Sequence, residues 1–284
     1  MKDKKIIVIG GPTASGKTSL SIQIAQDVHG QVVNADAVQV YRDLRILSAR
    51  PSIEEELKVP HYLFGYVDAW TTPSVQDWLK NVAEILPELS APVFVGGTGF
   101  YLDALINGLS PIPDIPEEIR QKVREMPLSE VRSMAKDAVF FDSQRIRRAL
   151  EVQLATGKPI TYFQKLPKKK IVKGDFRLIH LLPNREKVYS QCEKRLILML
   201  QQGMIEEVQK LCDMKATGGV MHAIGVPEIC RMLHGEISKE VMMQQILLAT
   251  RHYAKRQMTW FRHQGQADIV LTSPKAYKNK GIIL

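Results

Sequence analysis

The run Gly11-Pro-Thr-Ala-Ser-Gly16-Lys17-Thr18 follows the apolar stretch Ile6 to Ile9 and precedes a helical pattern in which Leu20, Ile24 and Val28 recur at four-residue steps. A glycine-bounded loop that ends in Lys-Thr between a buried strand and a helix is the phosphate-binding pattern in the context it requires. The glycines let the backbone turn tightly, so that successive amide N–H groups, assisted by the helix N-terminus, surround phosphate oxygens. Gly11, Thr13, Ala14, Ser15, Gly16, Lys17 and Thr18 are therefore candidate phosphate-binding residues, with Lys17 as a point charge and Thr18 as a ligand for Mg2+. The loop alone does not say whose phosphates it holds.

Further short β-branched runs occur at Gln31 to Asn34, Val93 to Val95, Leu178 to Leu182 and, weakly, Ile269 to Leu271, with helical patterns between them. Such alternation predicts an α/β fold, a P-loop NTPase-like parallel sheet flanked by helices. Between Ser110 and Asp175 the strands stop; Pro111, Pro113 and Pro116 open a helical stretch that ends near Pro167-Lys168-Lys169-Lys170. This predicts a helical insertion domain over 110–175, with 1–109 and 176–284 forming the core. From Glu186 to Phe261 the pattern is almost continuously helical.

Composition narrows the function class. At 45% apolar and 24% charged residues over 284 positions, disorder and fibrous classes are excluded. No apolar run approaches the ~18 residues of a membrane-spanning helix. The basic start Met1 to Lys5 leads into an apolar stretch that Gly10-Gly11-Pro12 cuts off, too short for a signal core of ~7 to 15 residues. A cytoplasmic location is expected, without a membrane partner. Cys192, Cys212 and Cys230 lack metal-ligand spacing and are expected as small buried hydrophobes. Residues 1–109 carry a net charge of −3 and residues 110–284 one of +12, which points to a polyanionic partner handled by the later segments.

A phosphate loop in a hydrolase or kinase is normally served by an acidic residue at the end of a later strand. Here that strand reads Pro92-Val-Phe-Val-Gly-Gly-Thr98-Gly99 and ends without a carboxylate. The candidate acid instead follows the second strand, at Asp36, where the carboxyl ends of parallel strands face the ligand crevice; a helix N-cap or loop aspartate is the bland alternative. Two cationic helical clusters follow. Gln144-Arg145-Ile146-Arg147-Arg148 comes after the cap Asp142, in a helix that Gly157 and Pro159 terminate. In the segment Thr250 to Arg262, Arg251, Lys255 and Arg262 share one face while Tyr253, Ala254, Trp260 and Phe261 share the other.

Taken together the motifs resemble the bacterial-type tRNA dimethylallyltransferase, or tRNA isopentenyltransferase, family. The resemblance runs in order through Gly11 to Thr18, Asp36-Ala-Val-Gln39-Val-Tyr41-Arg42, Val59-Pro60-His61, Val95 to Tyr101, Arg145 to Val152, Ala223-Ile224-Gly225 and Ala254 to Trp260. Departures are Ala37 where serine is usual, Leu47-Ser48-Ala49-Arg50-Pro51 for Gly-Thr-Ala-Lys-Pro, and Val226-Pro227 for Tyr-Lys.

The resemblance implies transfer of a dimethylallyl group from dimethylallyl diphosphate to the exocyclic amine of the adenosine 3′ of the tRNA anticodon, with diphosphate released and Mg2+ as cofactor. It implies that the loop holds a diphosphate, which accounts for the missing acid. It assigns catalytic roles to Asp36 as proton acceptor, to Thr98, and to Arg195, which neutralises the leaving group; on a leucine-rich helix Arg195 could also be a solvated face. It places RNA contacts at Asp36, Ala37, Val38 and Gln39, at Thr98 and Arg120, at Gln144, Arg145, Ile146, Arg147 and Arg148, and at His222, Ala223, Ile224, Gly225, Val226 and Pro227. The expected partners are the tRNA anticodon stem-loop and dimethylallyl diphosphate, bound by a monomer. A P-loop small-molecule kinase is the enzymatic alternative and an RNA-binding module the nonenzymatic one.

Overall fold

The computed structural model describes residues 4–135, 142–263 and 266–279; the first three residues of the basic start and 136–141 of the expected insertion lie outside them. Six strands, β1 (Lys5–Gly10), β2 (Gln31–Asn34), β3 (His61–Tyr62), β4 (Pro92–Gly96), β5 (Asp175–Leu181) and β6 (Ile269–Leu271), form one sheet in the order β3-β2-β4-β1-β5-β6. Every pairing is parallel, with Val8 opposite Phe94 and Leu178 across the central strand. A parallel strand with helices on both faces is buried on both sides, so its sequence reads as a continuous apolar run. Ile6, Val8 and Ile9 are 0–1% exposed, as that burial demands. The five strands expected from sequence are present, and β3 joins them through two pairs with β2.

The helices up to the insertion are α1 (Lys17–Asp27), α2 (Ile53–Glu56), α3 (Val75–Ile85) and α4 (Gly99–Asn107). Ser52 and Ser74 each close a reciprocal capping box, with Glu55 and Asp77. Trp78 on α3 is fully buried and donates its indole N–H to Asn34 O at 2.9 Å, which ties α3 to the end of β2.

The chain packs as two units, Met1–Ile106 with Ile171–Leu284, and Asn107–Lys170. Sequence texture puts the second boundary at 175, whereas Ile171–Gly174 pack with the sheet unit. Val172 is 2% exposed, and the Cα of Gly174 lies so near Ile6 that a Cβ would meet it at 2.5 Å.

The second unit contains α5 (Glu117–Glu125), α6 (Leu128–Met134), α7 (Ser143–Thr156) and α8 (Ile160–Gln164). Asp142 caps α7 by accepting from Arg145 N at 3.0 Å, and Gly157 ends it in a left-handed conformation (φ 70°). Val123, Val131, Ile146 and Leu150 form one buried cluster of this unit, and Ile115, Ala149, Val152, Ile160 and Phe163 form another.

The helical tail of the sheet unit comprises α9 (Arg185–Gln201), α10 (Met204–Asp213), α11 (Val226–Leu233), α12 (Lys239–His263) and α13 (Lys275–Asn279). Leu196, Met199, Val208, Leu211, Val226, Ile229 and Ile246 build a core that reaches Val40 and Leu44 after β2. One sequence expectation is corrected here: only Cys192 is buried, while Cys212 and Cys230 are partly exposed and meet sulfur to sulfur. They pack against the edge of that core from α10 and α11. On α12 Ala254 and Phe261 pack inward as expected, but Trp260 and Arg251 are both half-buried, Arg251 reaching Glu193 at 3.3 Å.

Among the described residues no helix is long and apolar enough to cross a membrane.

Candidate active site

The carboxyl ends of β1, β4 and β2 converge. After β1 the loop bends through Ala14 (φ 59°) and Gly16 (φ 92°) into α1. At Gly16 the left-handed conformation favours the residue without a side chain, and a Cβ there would also approach Pro274 to 2.9 Å. Ser15 is 6% exposed and its Oγ is buried without a partner, which leaves a polar atom in the loop to be met by a ligand. Lys17 curls back and donates to Pro12 O at 2.6 Å. Burial pushes its ammonium down to about 8; the charge of Asp36 opposes that shift and the charge of Arg195 adds to it.

Asp36 is held by its own turn. Asn34, fully buried, accepts from Asp36 N through Oδ1 at 2.9 Å and donates through Nδ2 to Leu63 O at 3.0 Å. Asp36 Oδ1 in turn accepts from Val38 N at 2.9 Å. Thr98 Oγ1 accepts from Ala37 N at 3.3 Å, so Thr98 touches the site through this turn. From α9, Arg195 donates to Thr13 Oγ1 at 2.6 Å. Burial lowers the Arg195 pKa, but a guanidinium starts so high that it remains a cation.

From α12, Gln257 accepts from Thr13 N at 2.8 Å and donates to Gly97 O at 2.7 Å, clamping the loop after β1 to the loop after β4. Gly97 allows this approach, since a Cβ there would stand 2.4 Å from the Gln257 amide nitrogen.

Two cavities share this centre. The first, about 350 Å³, is lined by the phosphate loop from Thr13 to Thr18, by Asp36 and Gln39, and by Gln191, Lys194 and Arg195 of α9. The second, about 310 Å³, passes from the same Thr13, Asp36 and Arg195 to Val38, Leu196, Met199, His222, Ala223, Ile224 and Tyr253. One end is therefore cationic and rich in backbone N–H groups, suited to phosphate. The other is largely apolar with a few polar groups, suited to a planar or hydrocarbon ligand. Asp36 stands where they meet.

A sequence profile of the family described as IPP transferase matches residues 39–264, and one described as isopentenyl transferase matches residues 4–64. A tRNA dimethylallyltransferase of Rhizobium etli is 46% identical over 277 residues, covering 91% of this chain and 93% of its own. The chain belongs to the tRNA dimethylallyltransferase family. A Bradyrhizobium member is 41% identical over 280 residues, covering 92% of each chain. Among solved structures, the tRNA isopentenylpyrophosphate transferase of Bacillus halodurans superposes with a TM-score of 0.71 at 29% identity, covering 95% of this chain and 90% of that one. A eukaryotic dimethylallyltransferase acting on tRNA, 24% identical, shares the fold with a TM-score of 0.78 over 96% of this chain and 75% of its own.

In this chain the structure brings together Thr13 to Thr18, Asp36, Gln39 and Arg195 on one cavity, and Asp36, Val38, His222, Ala223 and Ile224 on the other. Gly225 and Val226 are buried behind that wall, while Pro227 is exposed. Arg120 and 144–148 stand in the second unit. There Gln144 and Arg145 are exposed, Ile146 is 4% exposed and has no side chain to offer RNA, Arg147 donates to Val123 O, and Arg148 pairs with Glu151 at 3.0 Å.

Sequence reasoning missed Gln191, Lys194, Tyr253 and Gln257. The spacing of Gln191, Lys194, Arg195 and Leu198 places them on one face of a helix, a signal that was available. Tyr253 lies beside Thr98 and Gln257, and burial, with the charge of Asp36, raises its phenol pKa.

Proposed function

We propose that this chain transfers the dimethylallyl group of dimethylallyl diphosphate to the exocyclic amine of the adenosine 3′ of the anticodon in tRNA, releasing diphosphate. The observation that carries the proposal is the placement of Asp36 at the junction of a phosphate-type cavity and an apolar one, with Arg195 and Thr13 beside it.

The loop amides from Thr13 to Thr18, the unpartnered Ser15 hydroxyl, Lys17, Lys194 and Arg195 surround the diphosphate. The adenine, out of its stack, enters by the second cavity. Its amine nitrogen forms a bond to the terminal carbon of the dimethylallyl group as the carbon–oxygen bond to diphosphate breaks. The bonding pair leaves with the diphosphate, and the amine proton passes to the Asp36 carboxylate. Proton acceptance of this kind contributes roughly 100- to 10,000-fold. Fixed cations at the departing oxygen contribute ~3 kcal/mol each in water-poor sites.

Thr18 and Asp36 line the same cavity with oxygen donors. Among the described residues no cluster of three or more His, Cys, Asp or Glu exists. That donor set fits Mg2+, which takes one or two protein oxygens and completes its shell with water and substrate phosphates. Bound there, the ion would neutralise diphosphate charge, and Thr18 would hold it.

The strand β4 ends at Gly96 and is followed by Gly97, with no carboxylate, so a γ-phosphate would lack the usual metal ligand and water-positioning acid. We further propose that it acts as a monomer, in the cytoplasm with its tRNA. The test is incubation with Mg2+, labelled dimethylallyl diphosphate and unmodified tRNA, with labelled ATP in a parallel tube. Label in the adenosine next to the anticodon supports the proposal; phosphate transfer from ATP, or RNA binding without transfer, would overturn it.

A further inference from the structure

Cys212 on α10 and Cys230 on α11 place their Sγ atoms 2.9 Å apart. A disulfide needs ~2.05 Å between the sulfurs, so less than an ångström of side-chain movement separates the contact from a bond. Both residues are partly exposed, which lets a small oxidant reach them; Cys192, the remaining cysteine, is buried. Burial and the contact with Cys212 push the Cys230 thiol up to about 12.

The chain between the two sulfurs is residues 213–229. It contains the turn Gly219–His222 and the side chains of His222, Ala223 and Ile224 that wall the second cavity. Neither cysteine lines either cavity, so the proposed transfer reaction does not use them.

We propose that Cys212 and Cys230 form a redox-responsive pair that closes to an intramolecular disulfide under peroxide and staples the ends of the cavity-wall segment. The Cys212 thiol attacks hydrogen peroxide, breaking the oxygen–oxygen bond to give a sulfenic acid and one water. The Cys230 sulfur then attacks that sulfenic sulfur, forming the S–S bond and expelling a second water. The two thiols lose two protons and two electrons in all, and the peroxide takes them up as two waters. A dithiol reductant reverses the step by exchange through a mixed disulfide. In a reducing compartment the pair rests open and closes only when oxidant rises.

The test uses the full chain, reduced, freed of reductant and exposed to limiting hydrogen peroxide. Peptide mapping without reduction should give a monomer about 2 Da lighter, with the peptides of Cys212 and Cys230 joined and Cys192 still open to alkylation after denaturation. Dithiothreitol should restore the mass, and amide exchange over 213–229 should slow in the oxidised form. Cys230→Ser should instead leave a sulfenic acid at Cys212 that dimedone captures. The proposal is overturned if both thiols remain alkylatable after oxidation, if oxygen adducts accumulate on them without a bond, or if the bond joins two copies or involves Cys192. Because the wild-type map decides the connectivity, a poorly folding variant would not shield the proposal.

Discussion

Gln257→Leu should weaken both the fold and donor binding, while sparing tRNA binding. Gln257 is 6% exposed, accepts from Thr13 N and donates to Gly97 O. Leucine fills a similar volume but can do neither. The Gly97 carbonyl lies in buried surroundings, and leaving it unpaired costs ~1–3 kcal/mol. The Thr13 amide opens onto the first cavity, where water can replace the lost partner, so its share is ~0.5–1.5 kcal/mol. The total, ~1.5–4.5 kcal/mol, should move a urea midpoint down by about 0.5–2 M for a slope of about 2–3 kcal/mol/M. Tryptophan emission follows the relevant unit, because Trp70, Trp78 and Trp260 all belong to the same unit as Gln257.

In the same variant the Thr13 amide loses its anchor and Thr13 is held only through the hydroxyl that Arg195 binds, so the KM for the prenyl donor should rise about tenfold, the equivalent of ~1.4 kcal/mol. The dissociation constant for tRNA should stay within about twofold, since spreading the loss to RNA would require distortion beyond the two loops. Gln257→Glu separates the two bonds: the acceptor for Thr13 N survives, while a carboxylate oxygen faces Gly97 O. It should lose stability with a smaller change in donor KM. Unchanged stability and donor KM in Gln257→Leu would refute the clamp, and an equal fall in tRNA affinity would show general misfolding in its place.

Three other perturbations read out separate parts of the site. Lys17 titrates near 8 in the folded chain and at 10.5 when unfolded, so between those values the unfolded chain binds the extra proton and this group's contribution to stability rises with pH. Donor affinity should move the other way, falling toward tenfold per pH unit above about 8, and Lys17→Arg should flatten that fall in a binding titration. Asp36→Asn should keep tRNA binding and lose turnover by roughly 100- to 10,000-fold in single-turnover assays, and a matching loss of both would mark Asp36 as structural. Raising salt should weaken tRNA binding with a log–log slope of about −0.7 to −0.9 per phosphate neutralised; a flat response in filter binding would contradict a role for the +12 charge of residues 110–284.

What could be read from the sequence and what could not divide along one physical line. The phosphate loop, the helix starting at Lys17, the strands at Ile6–Ile9 and Val93–Val95, and the helix capped by Asp142 all rest on interactions within a few residues, so spacing and turn chemistry encode them. Strand β3 does not: His61 and Tyr62 carry no apolar alternation and become a strand only because β2 offers Val32 and Val33 as partners. Gln257 is separated from Thr13 by 244 residues, and the sulfurs of Cys212 and Cys230 meet only because α10 and α11 pack.

The site itself shows why distant residues had to supply it. Parallel strands end on the same side of the sheet, so β1, β2 and β4 each deliver a loop to one crevice, where Thr98 Oγ1 ties the loop after β4 to the one after β2 by accepting from Ala37 N. Asn34 settles the loop after β2 locally, through Asp36 N and Leu63 O. The loops after β1 and β4 open on glycines, Gly11 and Gly97, which carry no side chain to do the same between those two loops. A clamp must then come from a helix that crosses both, and α12 brings Gln257, whose amide has the one donor and one acceptor that two such loops require.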